Sequence, residues 1–128
     1  MFKLEQLALA MITIEGWHAN GLTKTPGGSR SYRNHNPGNL RSSPTEVKNV
    51  EGFSVFRTDL DGWNAMIWDL TQKAKGNTST GLGPEKTLLD LVKIWAPAGD
   101  NNDPAGYLMK ICEQTGFKAT MKLKELLQ

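Results

Sequence analysis

The stretch LALAMITIEGW, residues 7–17, carries an apolar run directly into a glutamate, a glycine and a tryptophan. Apolar side chains at helical spacing predict a helix over residues 3–15. Its apolar stripe is formed by Leu4, Leu7, Ala8 and Met11. At 100° per residue, Glu15 lies roughly 20° from Leu4 and therefore in the middle of the stripe. Gly16 is the predicted end of the helix, because glycine adopts the left-handed cap conformation without cost.

The predicted position of Glu15 suits a catalytic acid. Burial on the stripe and the negative end of the helix dipole both favour the protonated carboxyl. Cleavage of a glycosidic bond needs such a group, because the leaving oxygen must be protonated. The basic loop that follows favours the ionised form, and the sequence leaves the balance open. The structural alternative is a glutamate at a fraying helix end that faces water or pairs with an arginine.

Downstream of this helix the sequence predicts a polar loop, a hairpin and further helices. Turn-forming clusters mark residues 18–45 as a long loop. Residues 46–57 predict a short hairpin with its turn near Lys48–Asn49 or Glu51–Gly52. Helix caps are predicted at Asp59 or Asp61, at Thr87, and at Asp103 before Pro104. The predicted fold is α+β and mainly α, with a small β-hairpin after the first helix, in one domain of residues 1–128.

The charge distribution points to an anionic partner more than the total charge does. The net charge of +2 over 128 residues does not indicate a nucleic-acid-binding protein. Residues 16–45, however, contain no Asp or Glu. The basic residues there are Lys24, Arg30, Arg33 and Arg41, with His18 and His35. We expect this stretch to face an anionic polymer, and we rank nucleic acid low because the aromatic residues fall on helical stripes and not beside the basic ones.

Several classes of site and location are disfavoured by the sequence. Cys112 is the only cysteine, so no internal disulfide is possible, and its helical spacing predicts burial. No apolar run reaches membrane-spanning length, so no membrane span is predicted. Glu5 and Glu15 interrupt the apolar segment 7–14, so we interpret the N-terminus as mature structure without a signal peptide. No metal-ligand spacing or phosphate-binding loop is present, so neither metal nor cofactor is predicted.

Polar residues of the long loop are candidates for binding a sugar. The amides of Asn34, Asn36 and Asn39 can donate to and accept from acetamido and hydroxyl groups, although the NPGN segment is equally typical of a turn. Arg33 and Arg41 are candidates to bind carboxylates of an anionic polymer, with solvated surface charge as the alternative. A second catalytic carboxylate is not singled out by spacing. The candidates are Glu46, Glu51, Asp59, Asp61, Asp100 and Asp103.

The order of five blocks resembles a known family. These blocks are ITIEGW, RNHNPGNLR, GFSVF, WAP and DNNDPAGYLMKI, and they extend over most of the chain. The order is similar to that in small phage-associated lytic transglycosylases of the lysozyme-like superfamily, and RNHNPGNLR is the most specific part. His35 stands where this resemblance leads us to expect another asparagine.

The resemblance implies a lysozyme-like fold that cleaves the β-1,4 bond between N-acetylmuramic acid and N-acetylglucosamine in peptidoglycan. It implies that Glu15 is the catalytic acid and base, that residues 36–39 line the cleft, that Tyr107 faces the acid and that Phe56 forms a cleft wall. The implied partners are peptidoglycan strands and other virion proteins. The protein would be made in the bacterial cytoplasm and act at the cell wall, carried in a phage particle. The alternative is a non-catalytic virion structural or glycan-binding protein that keeps the fold.

Overall fold

The structure is a computed structural model, which describes residues 2–17, 28–100 and 102–128. It is mainly helical with a two-stranded antiparallel sheet, which confirms the predicted α+β, mainly α class. The elements in chain order are α1 (Lys3–Ile14), α2 (Arg30–Arg33), β1 (Lys48–Val50), β2 (Phe53–Val55), α3 (Asp59–Lys75), α4 (Leu88–Trp95), a 3₁₀ turn (Ala98–Asp100), α5 (Pro104–Thr115) and a second 3₁₀ segment (Leu123–Leu127). No described helix has both the length and the apolar character needed to cross a membrane.

The chain forms two compact units. One, which we call the helical unit, comprises Met1–Ala10 and Leu70–Gln128, and the other, the hairpin unit, comprises Met11–Asp69. The helices α1 and α3 each contribute residues to both units. The boundary of a single domain at residues 1–128 stays a prediction.

Local capping signals define the helices of the helical unit. Thr87 caps α4 in a capping box, in which the Asp90 carboxylate accepts from the Thr87 N–H, as predicted for the cap. Asp103 caps α5 directly before Pro104, which was also predicted. The core of this unit consists of fully or largely buried apolar side chains. They include Leu7, Leu70, Leu88, Leu91, Val92, Leu108, Ile111, Leu123 and Leu126.

The hairpin unit departs from the predicted elements at two points. The predicted loop 18–45 contains the short helix α2, because the Ser29 hydroxyl caps it by accepting from the Tyr32 N–H; residues 18–27 lie outside the described residues. The predicted cap of α3 at Asp59 or Asp61 is wrong, since the Thr58 hydroxyl accepts the Asp61 N–H at 3.1 Å.

The position of the hairpin turn was predicted with two alternatives, and the structure confirms the second, Glu51–Gly52. Lys48 pairs with Val55 and Val50 pairs with Phe53, which leaves Glu51–Gly52 as a two-residue turn. Both turn residues have positive φ angles, 53° and 82°, as a type I′ turn requires. The register therefore follows from the turn, and it places Phe53 on the buried side.

Close packing holds α3 against the loop before the hairpin. Gly62 is buried, and a Cβ atom at this position would overlap the carbonyl oxygen of His35 and lie 2.8 Å from Cδ of Pro37. Only glycine allows this approach of a helix to a backbone. The loop containing RNHNPGNLR is thus fixed in position by the first turns of α3.

Candidate functional site

Glu15 is the C-terminal cap of α1. The helix ends at Ile14, and Gly16 adopts a left-handed φ of 78°, which confirms the predicted stop. The Gly16 N–H donates to Thr13 at 3.3 Å and the Trp17 N–H donates to Ile12 at 3.2 Å, the two bonds of a Schellman motif. The Glu15 side chain is half-buried. Glu15 therefore lies at the negative end of the helix dipole, with part of its surface open to solvent.

The segment that carries α2 packs against this helix end. The Ser31 hydroxyl, 2% exposed, donates to the carbonyl oxygen of Gly16 at 3.4 Å. The rings of Trp17 and Tyr32 meet edge to face, with their centroids 5.2 Å apart. One half-buried aromatic ring, that of Trp17, thus lies two residues after Glu15. The second, that of Tyr32, lies on α2 and contacts it.

Asn36 has a structural role. Its side chain is fully buried, its Nδ2 donates to the carbonyl oxygens of Leu40 and Ser54 at 3.0 Å each, and its Oδ1 accepts from the Leu40 N–H at 2.9 Å. The turn interpretation of NPGN therefore accounts for this residue, and the side chain has no surface left for a sugar. The same correction applies to Phe56, which is 1% exposed and belongs to the core instead of a cleft wall.

Asn34 and Asn39 remain half-buried at the two ends of the loop. Asn34 caps α2, and its carbonyl oxygen accepts from the Phe56 N–H at 2.9 Å. Asn39 has a left-handed φ of 52°, and its Oδ1 is buried without a hydrogen-bond partner among the described residues. A buried acceptor without a partner is costly.

Two arginines contact one aromatic ring on the same unit. The guanidinium carbon of Arg30 lies 3.7 Å from the Phe53 ring centroid, and that of Arg41 lies 4.2 Å from it. Both arginines are exposed, and neither forms an ion pair within the described part of the chain. The sequence predicted Arg41 as a binding residue but not Arg30. Its only signal in the sequence was its place in residues 16–45, which contain no acidic residue. Its contact with Phe53 joins residues far apart in the chain and leaves no local pattern.

The remaining predicted residues are placed as follows. Arg33 is exposed, and its Nε donates to the Ser29 carbonyl oxygen at 3.4 Å. It is not one of the two arginines that contact Phe53. Tyr107 lies on α5 in the helical unit, where it is 8% exposed. Their binding roles stay predictions.

Two carboxylates of the hairpin unit, those of Glu46 and Asp59, have structural partners. Glu46 accepts from the Ser54 hydroxyl at 2.7 Å and from the Ser43 N–H at 3.1 Å, and these hydrogen bonds lower the pKa of its carboxyl. Glu46 is therefore kept ionised, which does not suit a proton donor. Asp59 contacts His35, with Oδ1 2.7 Å from Nδ1. Among the described residues, no group of three or more potential metal ligands is found.

Glu15 differs from Glu46 and Asp59 in its position at the C-terminal cap of α1, two residues before Trp17. No known family model, curated protein or solved structure matches the chain.

Proposed function

We propose that this protein has a lysozyme-like fold and cleaves the β-1,4 bond between N-acetylmuramic acid and N-acetylglucosamine in peptidoglycan, as a lytic transglycosylase. The observation that carries the proposal is the half-buried Glu15 at the C-terminal cap of α1, two residues before Trp17, whose ring contacts that of Tyr32. The first step needs a protonated carboxyl at this position.

One carboxyl group can serve both steps of this reaction. Protonated Glu15 gives its proton to the glycosidic oxygen as the bond to C1 of the muramic residue breaks. The resulting carboxylate takes the proton of the muramic C6 hydroxyl, whose oxygen then bonds to C1 and forms a 1,6-anhydro ring. No water is consumed, and Glu15 returns to its protonated form. This sequence fits a site in which Glu46 is held by structural hydrogen bonds.

The arginine pair would contribute substrate recognition. Peptidoglycan carries carboxylates on its peptide stems, and guanidinium groups bind carboxylates through paired hydrogen bonds. Arg30 and Arg41 are both exposed and contact the same Phe53 ring, so an anionic group could meet two cations at once. We propose that they hold the stem, and we add Arg30 to the residues predicted from the sequence.

The rival proposal is a non-catalytic virion protein that keeps the fold and binds glycan or other virion proteins. The burial of Asn36 and Phe56 favours it, because two of the expected cleft side chains are used for packing. This rival predicts binding to peptidoglycan without release of fragments.

Digestion of purified sacculi distinguishes the two proposals. Wild type should release muropeptides lighter by one water than hydrolysis products, and Glu15→Gln should reduce the rate by roughly 10²-fold or more. Glu113→Gln, on an exposed residue of α5, is the matched control and should leave the rate unchanged. Equal rates for wild type and Glu15→Gln would remove Glu15 from the mechanism, and products of full hydrolytic mass would identify a hydrolase. Sedimentation with sacculi, but no soluble fragment, would support the non-catalytic rival.

A further inference from the structure

The hairpin unit contains a groove of about 670 Å³ that has no part in the proposed reaction. It lies between the first half of α3 and the segment that leads into β1. Its principal lining residues are Val47, Arg57, Asp61, Asn64, Ala65 and Trp68, and we call it the Trp68 groove. Its volume is within the range of about 300–1,000 Å³ that is typical of small-molecule sites.

The helical repeat of α3 forms one wall of this groove. Asp61, Asn64, Ala65 and Trp68 are spaced by three, one and three residues, which brings them to one face of the helix. Ala65 is 5% exposed, so its small side chain forms the base of this wall. Trp68 is 51% exposed and presents a large, flat apolar surface beside it.

The polar side chains of the groove are available for a ligand. Within the described parts of the chain, the side chains of Arg57, Asp61 and Asn64 form no hydrogen bond or ion pair with the protein, and all three are exposed. Together they offer a guanidinium, a carboxylate and an amide, which can donate to and accept from neighbouring hydroxyls. The charges of Arg57 and Asp61 cancel, so the groove is suited to a neutral ligand.

We propose that the Trp68 groove binds a neutral, N-acetylated sugar segment of a glycan strand. The indole can stack against the apolar face of a pyranose ring, and Asn64 and Asp61 can hydrogen-bond its hydroxyl and acetamido groups. An apolar peptide helix fits less well, because it would bury these polar groups without partners. A nucleic acid fits less well, since the Asp61 carboxylate lines the same groove as Arg57.

Only the choice of peptidoglycan as the source of the glycan rests on the proposed function. The groove shares no residue with the Glu15 site, so sugar binding here does not require catalysis. If both proposals hold, the protein has an anchoring site for the glycan strand in addition to the site that cleaves it.

Titration of ¹⁵N-labelled protein with a β-1,4-linked N-acetylglucosamine tetramer tests the groove directly. The four tryptophans give separate indole N–H signals, and Trp68→Phe identifies the signal of Trp68. That signal should shift with the sugar. Trp68→Ala and Asn64→Ala should each weaken binding about tenfold or more, equivalent to about 1.4 kcal/mol. Leu60→Ala, on a 65% exposed residue of α3 outside the groove, is the matched control.

The outcomes separate this inference from the proposed cleavage. Glu15→Gln should bind the tetramer as wild type does, and retained binding by this variant with no cleavage by wild type would leave the groove supported and the proposed reaction rejected. Shifts confined to the other indoles, or no shift of the Trp68 signal, would overturn the inference. So would equal affinity of wild type and a folded Trp68→Ala variant for the tetramer. If wild type then self-associates and Trp68→Ala does not, the occupant of the groove is a second copy of the chain.

Discussion

The guanidinium of Arg30 lies over the ring of Phe53 at 3.7 Å, in the position of a cation–π contact. Arg41 makes the second such contact with the ring, so the two guanidinium carbons lie within about 8 Å of each other. The described residues give neither arginine a carboxylate partner. Two guanidinium groups that contact one ring, without a counter-charge among the described residues, form a positively charged surface that can bind an anion.

Removal of both arginines should weaken binding to intact peptidoglycan more than binding to glycan stripped of its peptide stems. We expect Arg30→Ala with Arg41→Ala to reduce sedimentation with intact sacculi about tenfold, because two charge-assisted contacts are lost. Lys110→Ala with Lys118→Ala, on two exposed residues of the helical unit, removes the same total charge and is the control. Equal losses on intact and stem-free material would argue against recognition of the stem.

Gly62→Ala should destabilise the protein by about 2–3 kcal/mol, because a methyl group would overlap the His35 carbonyl and force α3 away from the loop. Denaturant unfolding measures the loss. Gly99→Ala is the control, since a Cβ at that position meets nothing within 4 Å. If Gly62→Ala lowers stability no more than Gly99→Ala does, the loop around His35 can move away from α3 at little cost.

Glu51→Asn should stabilise the hairpin by about 0.5–1 kcal/mol. Glu51 adopts a left-handed φ of 53°, which costs most L-residues energy and which asparagine tolerates. Glu51→Ala removes the same charge, but alanine does not tolerate a left-handed φ as asparagine does. This variant should therefore not stabilise the hairpin. If both variants stabilise the protein equally in thermal unfolding, charge and not backbone conformation is the cause.

Stability should fall in acid through the pairing of Glu85 with Lys122 and Lys124. Their hydrogen bonds and charges lower the pKa of Glu85 from 4.5 to about 2. A depressed carboxyl pKa contributes stability that is present above the unfolded value and lost as the pH falls towards the folded one. Glu85→Gln should therefore be less stable than wild type at pH 7, and the difference should disappear as the pH falls from 4.5 to about 2.

Unfolding curves across this pH range provide the measurement. Glu113→Gln removes an exposed carboxylate for comparison and should follow the wild-type curve. A difference between Glu85→Gln and wild type that stays constant down to pH 2 would show that the effect at Glu85 is not electrostatic.

Local signals made much of the fold predictable. Gly16 at the end of α1, Thr87 before α4 and Asp103 before Pro104 each act within one helical turn, so the sequence alone indicated them. The predicted cap of α3 was wrong because aspartate and threonine are both favoured N-cap residues, so Asp59 and Asp61 suit this position as well as Thr58 does. Local preference did not decide between them.

The candidate site depended more on contacts between distant residues. The hydrogen bond from Asn36 to Ser54 and the contact of Arg30 with Phe53 join residues far apart in the chain. No periodicity encodes such contacts, so the sequence did not show that one asparagine is buried or that a second arginine joins Arg41. The position of Glu15 was easier to predict, because it follows from the helix that ends beside it.

The buried Asn36 has a consequence for motion in this region. The Ser54 N–H donates to the Leu40 carbonyl oxygen, the Leu40 N–H donates to Asn36, and Asn36 donates back to the Ser54 carbonyl oxygen. None of these bonds can open alone without leaving a buried polar group unsatisfied. The amide protons of Leu40 and Ser54 should therefore show the same protection free energy in hydrogen exchange, set by a single cooperative opening of loop and hairpin.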